Sequence, residues 1–220
     1  MSVLRVSRTH FPVTALGPGT RLGVWVQGCS LACKGCMSQD TWSPGGGVDV
    51  PVADLVALWR EAAGRGADGL TVSGGEPLQQ PDALREFLAG VHAERGAADI
   101  LVYTGYEESE LDERRRNAVE FADVLVTGRF DITRPTALIW RGSANQRMVP
   151  LTDLGRRRYA EHVDHEPERA PIQVRADGSG IWLIGTPRQG GLAALERGLR
   201  ASGLPVESAT WRLRSPGQSG

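Results

Sequence analysis

The 220-residue chain has little cysteine, histidine, lysine or aromatic content: three Cys, four His, Lys34 as the lone lysine, and 6% Phe, Trp and Tyr. An odd cysteine count cannot close a disulfide framework, which excludes a small secreted scaffold. The formal net charge is −1, too small to hold nucleic acid or an anionic membrane by bulk attraction. No apolar run approaches the roughly 20 residues of a membrane helix. The opening MSVLRVSRTH has no apolar signal core, so a reducing cytoplasm is the expected setting. With 40% hydrophobic and 23% charged residues the composition is that of a globular protein, long enough to bury a core without staples.

What is present is concentrated. Cys29, Cys33 and Cys36 fall in one eight-residue window, with no cysteine elsewhere. The apolar, β-branched runs at 22–27, 69–73, 99–103, 123–127 and 146–150 read as strands covered on both faces. Helical spacing fills 51–63, where Val52, Leu55, Leu58, Trp59 and Ala62 recur behind Pro51. It also fills 81–94, where Leu84, Phe87, Leu88 and Val91 recur behind Pro81. This alternation predicts an α/β protein with a parallel sheet, open or curled. The pattern changes near 151, where a charged, Pro-containing stretch reads as an irregular connection. A hairpin over 171–184, a helix with Leu192, Leu195 and Leu199, and a strand at 206–213 would make a ββαβ unit, and 214–220 reads as a disordered tail. The division expected is 1–150, 151–213 and 214–220.

The spacing Cys29-x3-Cys33-x2-Cys36 follows the first of these strands, where α/β folds place their chemistry. A structural zinc site needs a fourth ligand from far away in the sequence. A redox pair at Cys33 and Cys36 leaves Cys29 idle. An iron–sulfur cluster on three cysteines leaves one iron open, which suits a catalyst better than an electron carrier. The next strand ends in Ser73-Gly74-Gly75-Glu76-Pro77. Paired glycines permit close backbone approach, Glu76 offers an acceptor for a ligand ammonium, and Pro77 stiffens the exit. A plain tight turn is the other reading of that segment. Gly17–Arg21 likewise reads either as a simple loop or as a cover over the cluster or a partner-docking loop. Arg141 and Arg147, around GSANQ, are either solvated or placed to meet a carboxylate.

Together, the cysteine spacing and the Gly-Gly-Glu-Pro that follows resemble the radical S-adenosylmethionine (SAM) superfamily. The similarity is closest to the small activating enzymes of glycyl radical enzymes, of the anaerobic ribonucleotide reductase activase type. ALGPGTRLGVWVQGCSLACKGC, VSGGEPLQQ, YTGY, DVLVTGRF and RGSANQRM carry it, in family order, across about residues 11–150.

The resemblance implies a partial, six-stranded (β/α) barrel of the radical SAM type, open on one side, with 151–213 as a small α+β extension. It implies a [4Fe-4S] cluster on Cys29, Cys33 and Cys36 with SAM on the open iron. Gly74 to Pro77 would receive the SAM amino group with Ser73 also cofactor-binding, Gly35 would pass near the adenine, and Thr104 and Asn145 would meet ribose or carboxylate. The implied chemistry is reductive cleavage of SAM to methionine and a 5′-deoxyadenosyl radical that abstracts hydrogen, with no protein acid or base needed for radical generation. The implied partners are a low-potential donor such as flavodoxin or ferredoxin and a glycyl radical enzyme. Direct modification of a peptide or small molecule, and a non-catalytic Fe–S or zinc module, are the other functions weighed. Three features depart from the family pattern: Met37-Ser38 stands where a polar pair ending in Asn is common, Thr127 stands where Asp is more common, and 151–220 extends beyond the compact activases.

Overall fold

A computed structural model describes residues 2–177, 180–204, 206 and 209–211. Strand β1 (Val3–Val13) is followed by β2 (Arg21–Val26), every residue of which is buried. After the cysteine loop come β3 (Val48–Pro51) and helix α1 (Val52–Gly64). Pro51, with φ −55°, presets the helix entry, and Val52, Leu55, Val56, Trp59 and Ala62 form its buried stripe. Strand β4 (Gly69–Gly74) leads to α2 (Pro81–Glu94), where Pro81 occupies the first turn and Leu84, Phe87, Leu88 and Val91 face inward. Then follow β5 (Asp99–Tyr103), a short α3 (Glu113–Ala118), β6 (Val124–Thr127) and β7 (Arg147–Pro150). Helix α4 (Asp153–Tyr159), the hairpin strands β8 (Ile172–Asp177) and β9 (Gly180–Gly185), and α5 (Gly191–Ala201) make up the rest of the described elements.

Seven strands form one sheet in the order β3-β1-β2-β4-β5-β6-β7, and β8-β9 form a separate ribbon. The central four, β2, β4, β5 and β6, run parallel, in register from Arg21 against Gly69 and from Gly69 against Asp99. The expected mixed α/β class is therefore present, with antiparallel strands at both edges. All five expected strands form within a residue or two. The one at 146–150 is the antiparallel edge β7 rather than a member of the parallel set. Strands β1 and β3 fall outside the expected set, because β1 alternates buried and half-exposed positions and carries two register irregularities.

Alternate residues of the parallel strands serve two cores. Leu22, Val24, Val26, Leu70, Val72, Ile100, Val102 and Leu125 pack with the stripes of α1 and α2. On the other face Leu101, Val124 and Val126 meet Ile139, Trp140, Met148 and Tyr159, while Val13, Leu16 and Trp25 meet Ile184 of the hairpin. Fully burying each such side chain contributes about 1.5–3 kcal/mol. Two expectations change here. The stretch read as an irregular connection after 151 contains α4, whose Thr152 Oγ1 caps the helix by accepting from Gly155 N–H at 3.1 Å. The extension is packed on the sheet through Tyr159, Trp182 and Ile184. Of the strand expected at 206–213, the described residues 206 and 209–211 are coil and turn. The remainder, Gly178 of the expected hairpin turn and the 214–220 tail lie outside the described residues.

At the amino-terminal edge of the parallel strands Arg21 and Asp99, both fully buried, pair at 2.7 Å. Arg21 also donates to Thr71 Oγ1 and Leu70 O, and Asp99 accepts from the Tyr159 hydroxyl, each at 2.7 Å, while Arg158 reaches Asp99 at 3.0 Å. Burial holds the Tyr159 hydroxyl well above its ordinary pKa, so it remains a donor. Arg21 is thus a structural cation at the end of the sheet away from the cysteines, which replaces the reading of Gly17–Arg21 as a cover for them. Asp99→Ala leaves this buried guanidinium without its main partner and should cost about 3–5 kcal/mol, read by urea unfolding of the iron-free chain. Tyr159→Phe should cost about 1 kcal/mol. An unchanged urea midpoint in Asp99→Ala would contradict the assignment.

Candidate active site

The three cysteines occupy the loop that leaves the carboxy-terminal end of β2. Its base is closed by backbone pairing: Gly28 N–H donates to Thr41 O at 2.8 Å and Cys29 N–H to Trp42 O at 3.0 Å. The buried Gln27 side chain donates to Asp40 O and Ser43 O from beneath. Within the loop Cys36 N–H turns back to Cys33 O at 3.1 Å, and Gly35 at φ +80° takes the left-handed conformation a side chain disfavours.

All three thiols are free and half-buried. Burial pushes the Cys29 and Cys36 thiols up, and Cys33 lies near enough to both to add to that effect. Two donors reach Cys36: Ser38 N–H at 3.4 Å and the Trp42 side chain. Among the described residues no three Cys, His, Asp or Glu side chains converge tightly enough to hold a single metal ion. Tetrahedral zinc would need its sulfurs only about 3.8 Å apart, from Zn–S bonds near 2.3 Å. Three separated, partly exposed thiols with no histidine among them suit the corners of a cubane cluster better, and they leave its fourth iron without a protein ligand.

The segment after β4 is locked to this loop. Gly75 N–H donates to Val26 O and Glu76 N–H to Gly28 O, each at 2.8 Å, so the parallel pairing of β2 and β4 runs on past both strands. A Cβ on Gly74 would sit 2.5 Å from Val26 N, and one on Gly75 would sit 2.3 Å from Gly28 O. The close approach that these glycines permit is therefore to the chain's own backbone. Ser73 pairs with Trp25 one residue before the β4 ladder ends at Gly74, and Pro77 is buried at the start of a single 3-10 turn.

Glu76 departs from expectation. Its carboxylate is 1% exposed and accepts from Leu78 N–H (2.9 Å), Thr104 Oγ1 (2.8 Å) and Gly105 N–H (2.7 Å). Burial pushes this carboxyl up, and the donors offset part of the effect. The side chain is a brace between the ends of β4 and β5, with three of its about four acceptor positions taken by the chain's own donors. Thr104, also buried, donates to that brace and accepts from Tyr106 N–H. Its hydroxyl faces the same interior.

Asn145 lies on the loop before β7, where its Nδ2 donates to Arg129 O at 2.7 Å and its buried Oδ1 has no partner among the described residues. An orphaned acceptor of this kind fits a donor group brought by a ligand. Arg141 is turned inward to Val163 O, and Arg147 pairs with Glu108 at 3.1 Å on the surface, so neither is free for a carboxylate at this edge. Arg129, which the sequence reading passed over, lies near Cys33 and pairs with Glu110 at 2.6 Å. Its position directly after β6 is the signal that could have found it, since it obeys the same strand-end rule as the cysteines. Gln79 was passed over too; it joins Ser30, next to Cys29, to the Tyr106 hydroxyl.

The sequence family described as the 4Fe-4S single cluster domain matches residues 15–149. The chain is 38% identical over 144 residues to the anaerobic ribonucleoside-triphosphate reductase-activating protein of Haemophilus influenzae, covering 62% of this chain and 92% of that protein. It is 37% identical over 145 residues to the protein of the same description from Escherichia coli K12, covering 62% and 93%. With that of Enterobacteria phage T4 it shares 31% over 139 residues, covering 62% and 88%.

Removing the brace tests how far the site depends on it. Glu76→Ala leaves two backbone N–H groups and a hydroxyl unpaired in a buried position, and should cost about 2–4 kcal/mol. The check is urea unfolding, with faster hydrogen exchange confined to the loops after β4 and β5. Stability and exchange equal to wild type would contradict the brace.

Proposed function

The chain belongs to the 4Fe-4S single cluster domain family and to the radical SAM activases of glycyl radical enzymes, and from that membership we propose that it installs the glycyl radical on an anaerobic ribonucleoside-triphosphate reductase. The observation that carries the reading is the lock between the cysteine loop and the Gly74–Glu76 segment, which brings the thiols beside a run of close-packed backbone.

When bound, the [4Fe-4S] cluster supplies the electron that cleaves SAM reductively, and the resulting 5′-deoxyadenosyl radical takes a hydrogen atom from the partner. Cys29, Cys33 and Cys36 would hold three irons as thiolates, losing the protons that burial now favours on Cys29 and Cys36. With the Glu76 side chain engaged, reception of the SAM amino group falls to the backbone of Ser73, Gly74, Gly75 and Pro77. Asn145 Oδ1 offers an acceptor to a ribose hydroxyl, and Gly35 lies on the cysteine loop where an adenine would approach. Thr104 acts by holding Glu76 rather than by touching SAM. The work of these groups is orientation and exclusion of water and oxygen.

The four parallel strands with their crossover helices support an abbreviated form of the (β/α)6 barrel, with 1–150 as the core and 151–213 as an extension that packs on it through Tyr159, Trp182 and Ile184. A low-potential flavodoxin or ferredoxin is the proposed electron source. No helix among the described residues is long and apolar enough to cross a membrane, and a cytoplasmic site of action is proposed.

After anaerobic reconstitution the chain should bind four irons, and with dithionite and SAM it should release 5′-deoxyadenosine. Cys33→Ala should reduce release at least a hundredfold, about the loss of 2.7 kcal/mol or more in barrier terms. Mixed with a reductase, the wild type should give the EPR doublet of a glycyl radical. Zinc uptake without iron, or unimpaired turnover in Cys33→Ala, would contradict the reading.

A further inference from the structure

The extension does not stop at the back of the sheet. Its last described turn, at 209–211, returns to the cysteine loop and meets it just after Cys36. Thr210 Oγ1 donates to Met37 O at 2.8 Å, and Gln39 N–H donates back to Thr210 O at 2.8 Å. Gln39 Nε2 donates to Trp211 O at 3.1 Å. The Trp211 indole N–H in turn donates to Glu196 of α5 at 2.7 Å, which ties the turn to the helix.

These bonds close on both sides of one peptide. Residues 37 and 39 are held by the turn, Ser38 O is held by Thr41 through its N–H (3.1 Å) and its hydroxyl (2.7 Å), and Ser38 N–H points at Cys36 Sγ. Ser38 cannot swing its N–H away from that sulfur without breaking contacts to Thr210, Trp211 or Thr41. The turn lies outside residues 15–149, where the family match ends. It meets the cysteine loop at Met37 and Gln39.

We infer that Thr210 and Trp211 are positioning residues for the cluster: through Met37 and Gln39 they hold the Ser38 N–H on the Cys36 sulfur, and thereby set how tightly the cluster is retained and how readily it is reduced. The inference rests on the cluster reading above. An N–H aimed at a cluster sulfur stabilises the extra negative charge of the reduced state, and hydrogen bonds to sulfur are among the controls of cluster potential. Released from its brace, the peptide loses that alignment part of the time. The cluster then becomes harder to reduce and its Cys36 corner easier to open.

The test uses the full chain with Thr210→Val, which removes the hydroxyl donor, Trp211→Phe, which removes the link to Glu196, and Thr210→Ser, which keeps the donor. In the iron-free chain, amide exchange over residues 37–42 should quicken about two- to tenfold in the first two variants, the effect of losing one hydrogen bond of about 0.5–1.5 kcal/mol. In the reconstituted chain, chelator should strip iron faster by a similar factor, and the midpoint potential from EPR-monitored titration should move to more negative values. Thr210→Ser should match wild type in all three readings. A turn that merely rests on the loop would leave the potential unmoved, and unchanged exchange and potential in both Thr210→Val and Trp211→Phe overturn the inference. Failure of the wild type to take up iron would overturn the cluster reading instead, with the exchange measurement still deciding whether the turn holds the loop. Should Thr210→Val fail to fold by circular dichroism, Trp211→Phe carries the decision.

Discussion

The close contact between the backbone of Gly74–Gly75 and that of Val26–Gly28 is the constraint from which the rest of the site follows. Two hydrogen bonds of 2.8 Å continue the parallel ladder beyond the ends of β2 and β4, and no side chain fits between them. The cysteine loop therefore leaves its strand in a direction set by the neighbouring strand. Glu76, the next residue, carries the same constraint one strand further, because its buried carboxylate gathers Leu78, Thr104 and Gly105. Three loops from three strands are thus joined by backbone and one carboxylate, with no thiol among the described residues bridging one loop to another. Preorganisation of this kind is what a cofactor-based reaction asks of its protein.

The two edges of the parallel sheet divide their tasks. The amino-terminal edge holds the buried pair of Arg21 and Asp99 with Tyr159, a charged network that reaches the surface through Arg158. The carboxy-terminal edge holds half-buried thiols, an Asn145 oxygen without a partner among the described residues, and a cation, Arg129, near Cys33. This is the usual polarity of parallel α/β sheets, where stability gathers at one end and chemistry at the other. The extension serves both ends: Tyr159 completes the network at one, and the turn at Thr210–Trp211 reaches the cysteine loop at the other.

Much of this was legible from the sequence, and the misses have physical causes. The buried parallel strands announce themselves as apolar runs, and α1 and α2 as prolines followed by helical stripes. Strand β1 was missed because it lies on the antiparallel side of the sheet, half-exposed, and its alternation through Leu4, Arg5 and Val6 lapses at Ser7, Arg8 and Thr9. The cysteines and the SGGEP segment were found because their spacing is local. The bracing role of Glu76 was not legible because a carboxylate's partners, here Thr104 and Gly105 from the end of the next strand, are set by tertiary packing that no local spacing encodes. Arg21 was misjudged for the same reason: its partner Asp99 lies 78 residues away.

Cys29, Cys33 and Cys36 would hold three irons of the proposed cluster and leave the fourth open to the amino and carboxylate groups of SAM. The direct measurement is pulsed EPR hyperfine spectroscopy of the reduced, reconstituted chain with SAM labelled at the amino nitrogen and at the carboxylate oxygen. Hyperfine couplings from both labels, absent without SAM and absent in Cys33→Ala, are the predicted result. A reduced cluster whose spectrum shows no coupling to either label would contradict the account.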